Sequence, residues 1–333
     1  MAALHDMKAV LFDRGGEAAE VLRWGVAPVP APRSGHVRIR VKARVIQPAD
    51  FLFIAGRYRV QPQYPQVAGF DGAGVVDAVA LDGDPTLVGR RVAFRSPGAW
   101  AEYAVAPLSR IHAVPDDVDD ETACQFPLNP LTAWGLLDVA ATRPGGRVLA
   151  TAGESSVARL MAALALDRGL AMTLVARTDR AIAGYRAWDA ANPAAQHHAT
   201  GLRAVLQSIQ SVGAEGGFDT VIDPVGGPST LDLMAACAPG ATLISYGVLD
   251  DRPFELKASA LVFRNLRWQG FGVDAYLNQL RPDRLGAARG ALWRLIRSQP
   301  SLLATARRFP LEAFPSAIAS SRHSAKEGKT LLV

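Results

Sequence analysis

The chain has 333 residues, 49% of them hydrophobic and 20% charged, proportions that favour a sizeable core and argue against extended disorder. Its formal net charge is +5, and the basic residues are scattered rather than run together, so no nucleic-acid-binding tract is indicated. Two cysteines, Cys124 and Cys237, exclude a disulfide framework and a cysteine zinc cluster.

No apolar run approaches the roughly 20 residues of a membrane span, and no signal-peptide core is visible, so a cytoplasmic setting is expected. The length suggests about two domains. The residues MAALHD precede Met7, where the fold is expected to begin.

Residues 7–125 read as β-rich. Lys8–Phe12 is a short apolar strand. His36–Val45 alternates, with Val37, Ile39, Val41, Ala43 and Val45 on one face of a half-buried strand. Val67–Val79 carries Gly69, Gly72 and Gly74 among apolar residues, as a sharply bent, closely packed strand pair would. Arg91–Phe94 and Ala99–Val105 read as further strands around Ser96-Pro97-Gly98. Many short strands with such punctuation predict a small barrel.

Near Thr122 the spacing becomes helical, and strands then alternate with helices. Strands are expected at Arg147–Ala150, Ala171–Ala176, Thr220–Ile222 and Ala241–Tyr246. Helices are expected at Ser155–Asp167, Leu202–Val212 and Ser229–Ala238. This alternation predicts a parallel sheet with crossover helices. Ala191–Thr200 reads as a polar, Ala-rich surface loop. Past Leu266 come a strand at Arg267–Phe271, a helix at Leu285–Arg297 and a terminal strand at Thr330–Val333. The domains expected are 7–125, 126–268 and a segment 269–333 that returns to the first.

Val148–Arg177 is the most informative stretch: strand, tight small-residue turn, amphipathic helix, second strand. A strand running into a helix start presents free N–H groups and a partial positive charge to a pyrophosphate. The turn departs from G-x-G-x-x-G. Only Gly153 remains, and Ser155, Ser156 and Ala158 replace further glycines. Serine hydroxyls still suit phosphate, whereas Glu154 repels it and Arg159 offsets that charge. At the end of the second strand Arg177, with Thr178 and Arg180 following, suits a 2′-phosphate and hence NADPH rather than NADH.

Several segments together resemble the medium-chain dehydrogenase/reductase superfamily, and within it the zinc-free quinone oxidoreductases and 2-enoyl thioester reductases. They are Gln47-Pro48-Ala49-Asp50, Ile54–Tyr58, Ala68–Gly74, Asn129–Ala133, Asp223–Gly227 and Ser245–Gly247. The resemblance implies an α/β protein with a GroES-like β-barrel catalytic domain and a Rossmann doubly wound cofactor domain. Zinc-containing members carry Gly-His-Glu where this chain has Gly69-Phe70-Asp71, and a cysteine where it has Gln47. A catalytic zinc needs about three ligands of Cys, His or carboxylate type, so no metal is expected. The region between Arg180 and Leu202 departs from the family, which has a short strand there.

By the same resemblance Tyr58, in the loop after the Pro-x-Asp segment, stands where enoyl thioester reductases place a tyrosine that donates to the enolate. The alternative is a packing tyrosine with a surface hydroxyl, and Tyr64 is a nearby competitor. Asn129 and Thr132 are placed beside the nicotinamide, although Asn129-Pro130 also reads as an N-cap and first helical residue. Val225, Tyr246 and Gly247 lie in the loops closing successive strands, and Phe271 is placed in a loop covering the nicotinamide. Lys329 matches a further cofactor-proximal position. The activity expected is NADPH-dependent reduction of a conjugated carbonyl such as a 2-enoyl thioester. A quinone oxidoreductase is the second reading, and a non-catalytic binding protein with a degraded phosphate turn the third. A homodimer paired through the Arg267–Phe271 edge is also expected.

Overall fold

A computed structural model describes residues 6–176, 178–191, 197–200, 217–324 and 328–333. The chain divides into two compact units, one formed by Met1–Asn129 with Trp293–Val333, the other by Pro130–Leu292. The sequence placed the return to the first unit at residue 269. Residues 269–292 belong instead to the second unit, and the change falls inside a single helix, Pro282–Ser298.

The first unit is built on strands β1 (Asp6–Phe12), β2 (Arg23–Pro28), β3 (His36–Val45), β4 (Gln66–Val67), β5 (Asp71–Val79), β6 (Arg91–Arg95), β7 (Tyr103–Pro107) and β8 (Ile111–Ala113). A three-stranded sheet has the order β2-β1-β4. The alternation in β3 buries Val37, Ile39, Val41, Ala43 and Val45, and β3 pairs with β5 on one side and β7 on the other. Val37, Ile39 and Val41 join a core of Phe12, Phe53, Phe70, Phe94 and Trp100. The proposed strand pair within Val67–Val79 is instead split between two sheets, with Gly69 at the break. Gly69 has φ +82, and a Cβ there would stand 2.0 Å from the Trp100 ring, so only glycine fits. Ala99–Val105 forms a strand only from Tyr103, because Ala99, Trp100 and Ala101 are core residues and lack the alternation of a half-exposed strand. The C-terminal strands, β15 (Thr305–Phe309) and β16 (Lys329–Leu332), complete the larger sheet through antiparallel pairing of β16 with β3.

The second unit carries β9 (Arg147–Ala150), β10 (Ala171–Val175), β11 (His197–Thr200), β12 (Phe218–Asp223), β13 (Cys237–Ser245) and β14 (Arg267–Gly270). Their order is β11-β10-β9-β12-β13-β14, and every pairing is parallel. This is the doubly wound Rossmann arrangement. The helix Ser156–Asp167 follows β9 and buries Val157, Leu160, Met161 and Leu164. β11 corrects two expectations. The short strand thought missing after Arg180 is present, and the end of Ala191–Thr200 is a strand rather than a loop. Its sequence, His-His-Ala-Thr, holds one β-branched residue and no apolar alternation, so it carries almost no strand signal. The helix expected at 202–212 and Arg177 lie outside the described residues.

Candidate active site

In the second unit Gly153, Ser155 and Ser156 follow the carboxyl end of β9, Val225 that of β12, and Tyr246 and Gly247 that of β13, the ends at which doubly wound sheets bind ligands. Gly153 is buried with its backbone against β10; its N–H donates to Val175 O at 2.8 Å, and an added Cβ would meet that carbonyl at 3.0 Å. Tyr185 Oη donates to Gly153 O at 2.7 Å, tying the turn to the helix Asp179–Ala191. Ser155 is the N-cap of the helix Ser156–Asp167, and its Oγ accepts from Ala158 N–H at 3.1 Å. The hydroxyl expected to meet phosphate is thus engaged as a cap. It also bonds the Tyr246 hydroxyl, whose pKa burial pushes above the usual phenol range. Ser156 is half-buried in the first helical turn.

Glu154 is half-buried, and its Oε1 accepts from Thr178 Oγ1 at 3.1 Å. Thr178 is one of the two donors that the sequence adds to Arg177 for the 2′-phosphate, so a carboxylate engages a hydroxyl expected to meet an anion. Burial raises the Tyr185 phenol, and the charges of Arg159 and Glu154 act on it in opposite directions. Arg180 is exposed in the first turn of its helix.

The next loop is organised by Asp223. Its carboxylate accepts from Val225 N–H at 3.1 Å, from Gly226 N–H at 2.8 Å and from the Thr151 hydroxyl. Gly247 passes so close to Pro224 that a Cβ would stand 2.6 Å from its carbonyl oxygen. Phe271 N–H donates to Ser245 O at 2.8 Å, and the Phe271 ring packs on Tyr276 with centroids 5.7 Å apart. Thr132 is buried in the helix Asn129–Ala140. Asn129 is also buried; it is the first helical residue rather than the N-cap.

In the first unit Tyr58 and Lys329 belong to one buried polar cluster. The helix Pro48–Ile54 starts with a capping box in which Asp50 Oδ2 accepts from Gln47 N–H at 2.7 Å. Gln47 Oε1 accepts from Lys329 Nζ at 2.8 Å. Asp71 at the start of β5 and Arg95 at the end of β6 are direct cross-strand partners. Arg95 Nη1 donates to Asp71, and Arg95 Nη2 donates to Tyr58 Oη at 3.2 Å. The Arg95 guanidinium lies 4.8 Å from the Phe70 ring centroid, and Phe70 packs on Tyr58 at 5.3 Å. Tyr64, the competitor, is exposed and packs on Phe12.

Burial, followed by the neighbouring Asp71 charge, pushes Asp50 up to about 7. Burial also raises Asp71, against the pull of Arg95 and Lys329. For Arg95 burial works against the charge, but Asp71 and Tyr58 outweigh it and the guanidinium is held above its ordinary range. The sequence had used Asp71 only as a landmark of the zinc motif and had passed over Arg95. The signal was the ending of the strand RVAFR: a charge closing a buried run, at a register position that pairs with the Gly-x-Asp segment.

Two family profiles match, "Alcohol dehydrogenase GroES-like domain" over residues 33–116 and "Zinc-binding dehydrogenase" over residues 195–332. The human synaptic vesicle membrane protein VAT-1 homolog-like is 30% identical, with 87% of this chain and 71% of the relative covered. The chain belongs to the medium-chain dehydrogenase/reductase superfamily. The mitochondrial enoyl-[acyl-carrier-protein] reductase of Bos taurus is 27% identical over 98% of this chain and 88% of its own length. A Bacillus thuringiensis protein described as an NADPH:quinone reductase superposes with a TM-score of 0.86, at 22% identity over 99% of each chain. Membership places the chain in an oxidoreductase family with the GroES-like and Rossmann architecture seen here. The zinc-dehydrogenase profile spans members that hold zinc, but this chain presents an amide at Gln47 and a phenyl ring at Phe70, neither of them a usual zinc ligand. Among the described residues no group of three or more His, Cys, Asp or Glu is placed to hold a metal ion. Among them, too, no helix is long and apolar enough to cross a membrane.

The donor set of the second unit fits a dinucleotide. A 12-residue helix starts at the β9 turn with its first amides unsatisfied within the helix, and Gly153 keeps the turn close to β10. Glu154 is the one element of the turn that opposes an anion.

Proposed function

We propose that the protein is a zinc-independent, NADPH-dependent reductase of activated C=C bonds, acting on a 2-enoyl thioester or a related conjugated carbonyl. The observation that carries this reading is the Tyr58 hydroxyl, fixed by Arg95 at 3.2 Å in the loop after the Pro-x-Asp segment. The similarity to an enoyl reductase over nearly the whole chain supports it.

The turn Gly153–Ala158 would hold the pyrophosphate through main-chain N–H groups, and Arg177 and Arg180 the 2′-phosphate. Thr132, Val225, Tyr246, Gly247 and Phe271 of the second unit would frame the nicotinamide end, and Asn129 and Lys329 are carried as further cofactor residues. When bound, NADPH supplies a hydride to the β-carbon. Negative charge then develops on the carbonyl oxygen, and a fixed donor stabilises it more than mobile water does. Tyr58 is that donor and the source of the proton for the α-carbon.

Quinone reduction is the second reading, favoured by the structural match to a protein described as a quinone reductase. Steady-state assays with NADPH and either crotonyl thioesters or naphthoquinones separate the two. Turnover of the thioester, with a loss of about 100-fold or more in Tyr58→Phe, is expected. Absence of saturable NADPH binding in a fluorescence titration overturns both enzyme readings and leaves the binding-protein one.

A further inference from the structure

Arg95 had no part in the reading of the sequence, yet it is the side chain that the Tyr58 hydroxyl touches. We propose that Arg95, anchored by Asp71, is a positioning residue that sets the direction in which Tyr58 donates its proton. The inference rests on the reading of Tyr58 as the donor.

The anchor follows from the sheet. Asp71 and Arg95 are paired across β5 and β6, so their side chains leave the same face of the sheet. Asp71 has no exposed side-chain surface and Arg95 only 5%. A pair so buried gives up its hydration and is retained only with good geometry. The guanidinium is planar, and its two ends are committed differently: Nη1 to Asp71, Nη2 to Tyr58. Its central carbon lies over the Phe70 ring, 4.8 Å from the centroid, and Phe70 in turn packs on the Tyr58 ring. Three contacts therefore fix one guanidinium, and that guanidinium fixes one phenol.

The consequence is one of hydrogen-bond polarity. A guanidinium has five donors and no acceptor. The Tyr58 oxygen must accept from Arg95, so its own hydrogen is directed elsewhere. A partner such as a carboxylate or a carbonyl would instead have claimed that hydrogen. The arrangement keeps the phenol proton available for substrate.

The chemistry balances as follows. Bound NADPH would supply the hydride of the new β-C–H bond, and the displaced π electron pair would be carried on the carbonyl oxygen as an enolate. The enolate returns that pair to form the α-C–H bond with the Tyr58 proton. The O–H bond breaks, and its electrons stay on the Tyr58 oxygen beside the positive charge of Arg95. Water restores the proton.

The test is a double-mutant cycle on the intact chain with NADPH and a crotonyl thioester. Arg95→Lys keeps the charge against Asp71 but replaces a two-ended fork by a single point. It is expected to lower kcat by about 10-fold or more, with substrate KM and NADPH Kd within about two-fold of wild type. In a Tyr58→Phe background the same change is expected to cost nothing further, because the group through which it acts is gone. Should Arg95→Lys fold poorly by thermal melting, Arg95→Met with Asp71→Asn removes both buried charges and is expected to show the same kcat loss and the same silence in the Tyr58→Phe background. Losses that multiply in the double variant, or a wild-type kcat in Arg95→Lys while Tyr58→Phe is impaired, overturn the proposal and leave the donor reading standing. A wild-type kcat in Tyr58→Phe overturns both.

Discussion

Lys329 Nζ donates to Gln47 Oε1 at 2.8 Å, joining the C-terminal strand β16 to the start of the helix Pro48–Ile54. Gln47 is buried and Lys329 half-buried. An ammonium therefore occupies the neighbourhood of the position at which zinc-dependent relatives present a thiolate. A second cation, Arg95, lies over Phe70, where those relatives have an imidazole. Two positive charges beside Gln47 and Phe70 make the region hostile to Zn²⁺ and lower the worth of the carboxylates Asp50 and Asp71 as ligands, since each already serves another partner.

Activity is accordingly expected to survive exhaustive dialysis against a chelator, with no gain when Zn²⁺ is returned. A loss that added zinc restores would show that the metal-free reading of Gln47 and Phe70 is wrong.

Glu154 carries the second prediction. Its carboxylate lies in the turn proposed to hold a pyrophosphate and engages Thr178 at 3.1 Å. Close like charges near a surface repel by about 1–2 kcal/mol, roughly 5- to 30-fold in affinity. Glu154→Gln keeps an acceptor for the Thr178 hydroxyl and removes the charge. NADPH is expected to bind this variant tighter by about that factor at low ionic strength, and the advantage is expected to shrink as salt is added. Fluorescence titrations at two salt concentrations measure both. Unchanged or weaker binding in Glu154→Gln would mean that the carboxylate does not face the anion.

Asp50 makes stability depend on pH in a definite direction. Its carboxyl titrates near 7 in the native state, raised by burial and then by Asp71, from an ordinary value of 3.8. The folded chain holds a proton that the unfolded chain releases. Its contribution to stability is therefore fully present below about pH 4, is lost as pH rises towards 7, and stays constant above. Asp50→Asn does not titrate and still accepts from Gln47 N–H. The stability of wild type relative to Asp50→Asn is expected to fall across that window, at up to about 1.4 kcal/mol per pKa unit. Denaturant melts of both proteins at several pH values give the difference directly, and parallel profiles would rule the buried titration out.

What the sequence disclosed followed from periodicity and from the glycines. β3 alternates strictly because one face meets the core, and its bounds were legible to the residue. The β9 turn and its helix were legible for the same reason, since one face of Ser156–Asp167 is almost wholly apolar. β11 was hidden because a short polar edge strand is held by main-chain bonds to β10, which side-chain pattern does not encode. The Arg95–Asp71–Tyr58 contacts were hidden for another reason: they join residues 24 and 37 positions apart through strand register and a loop. Ser155 stands at the helix start, where its Oγ accepts from Ala158 N–H as the cap.

The β14 edge carries the last prediction. β14 pairs with β13 on one side and ends the six-stranded sheet on the other. Such an edge offers a row of unpaired main-chain groups, and natural proteins blunt it with charge or cover it. Here it carries Trp268 at 41% exposure, and the preceding residues Val262 and Phe263 are 69% and 85% exposed. Apolar exposure beside an open edge suits a covered surface, and a second copy would cover it isologously, each β14 serving both partners. Light scattering after size exclusion is expected to give the mass of two chains. Phe263→Asp, a change at a side chain with little packing to lose, is expected to shift the equilibrium towards monomer, and Trp268→Lys added to it to abolish the dimer. A wild-type monomer would remove the case for pairing, and a dimer indifferent to both substitutions would move the interface away from β14.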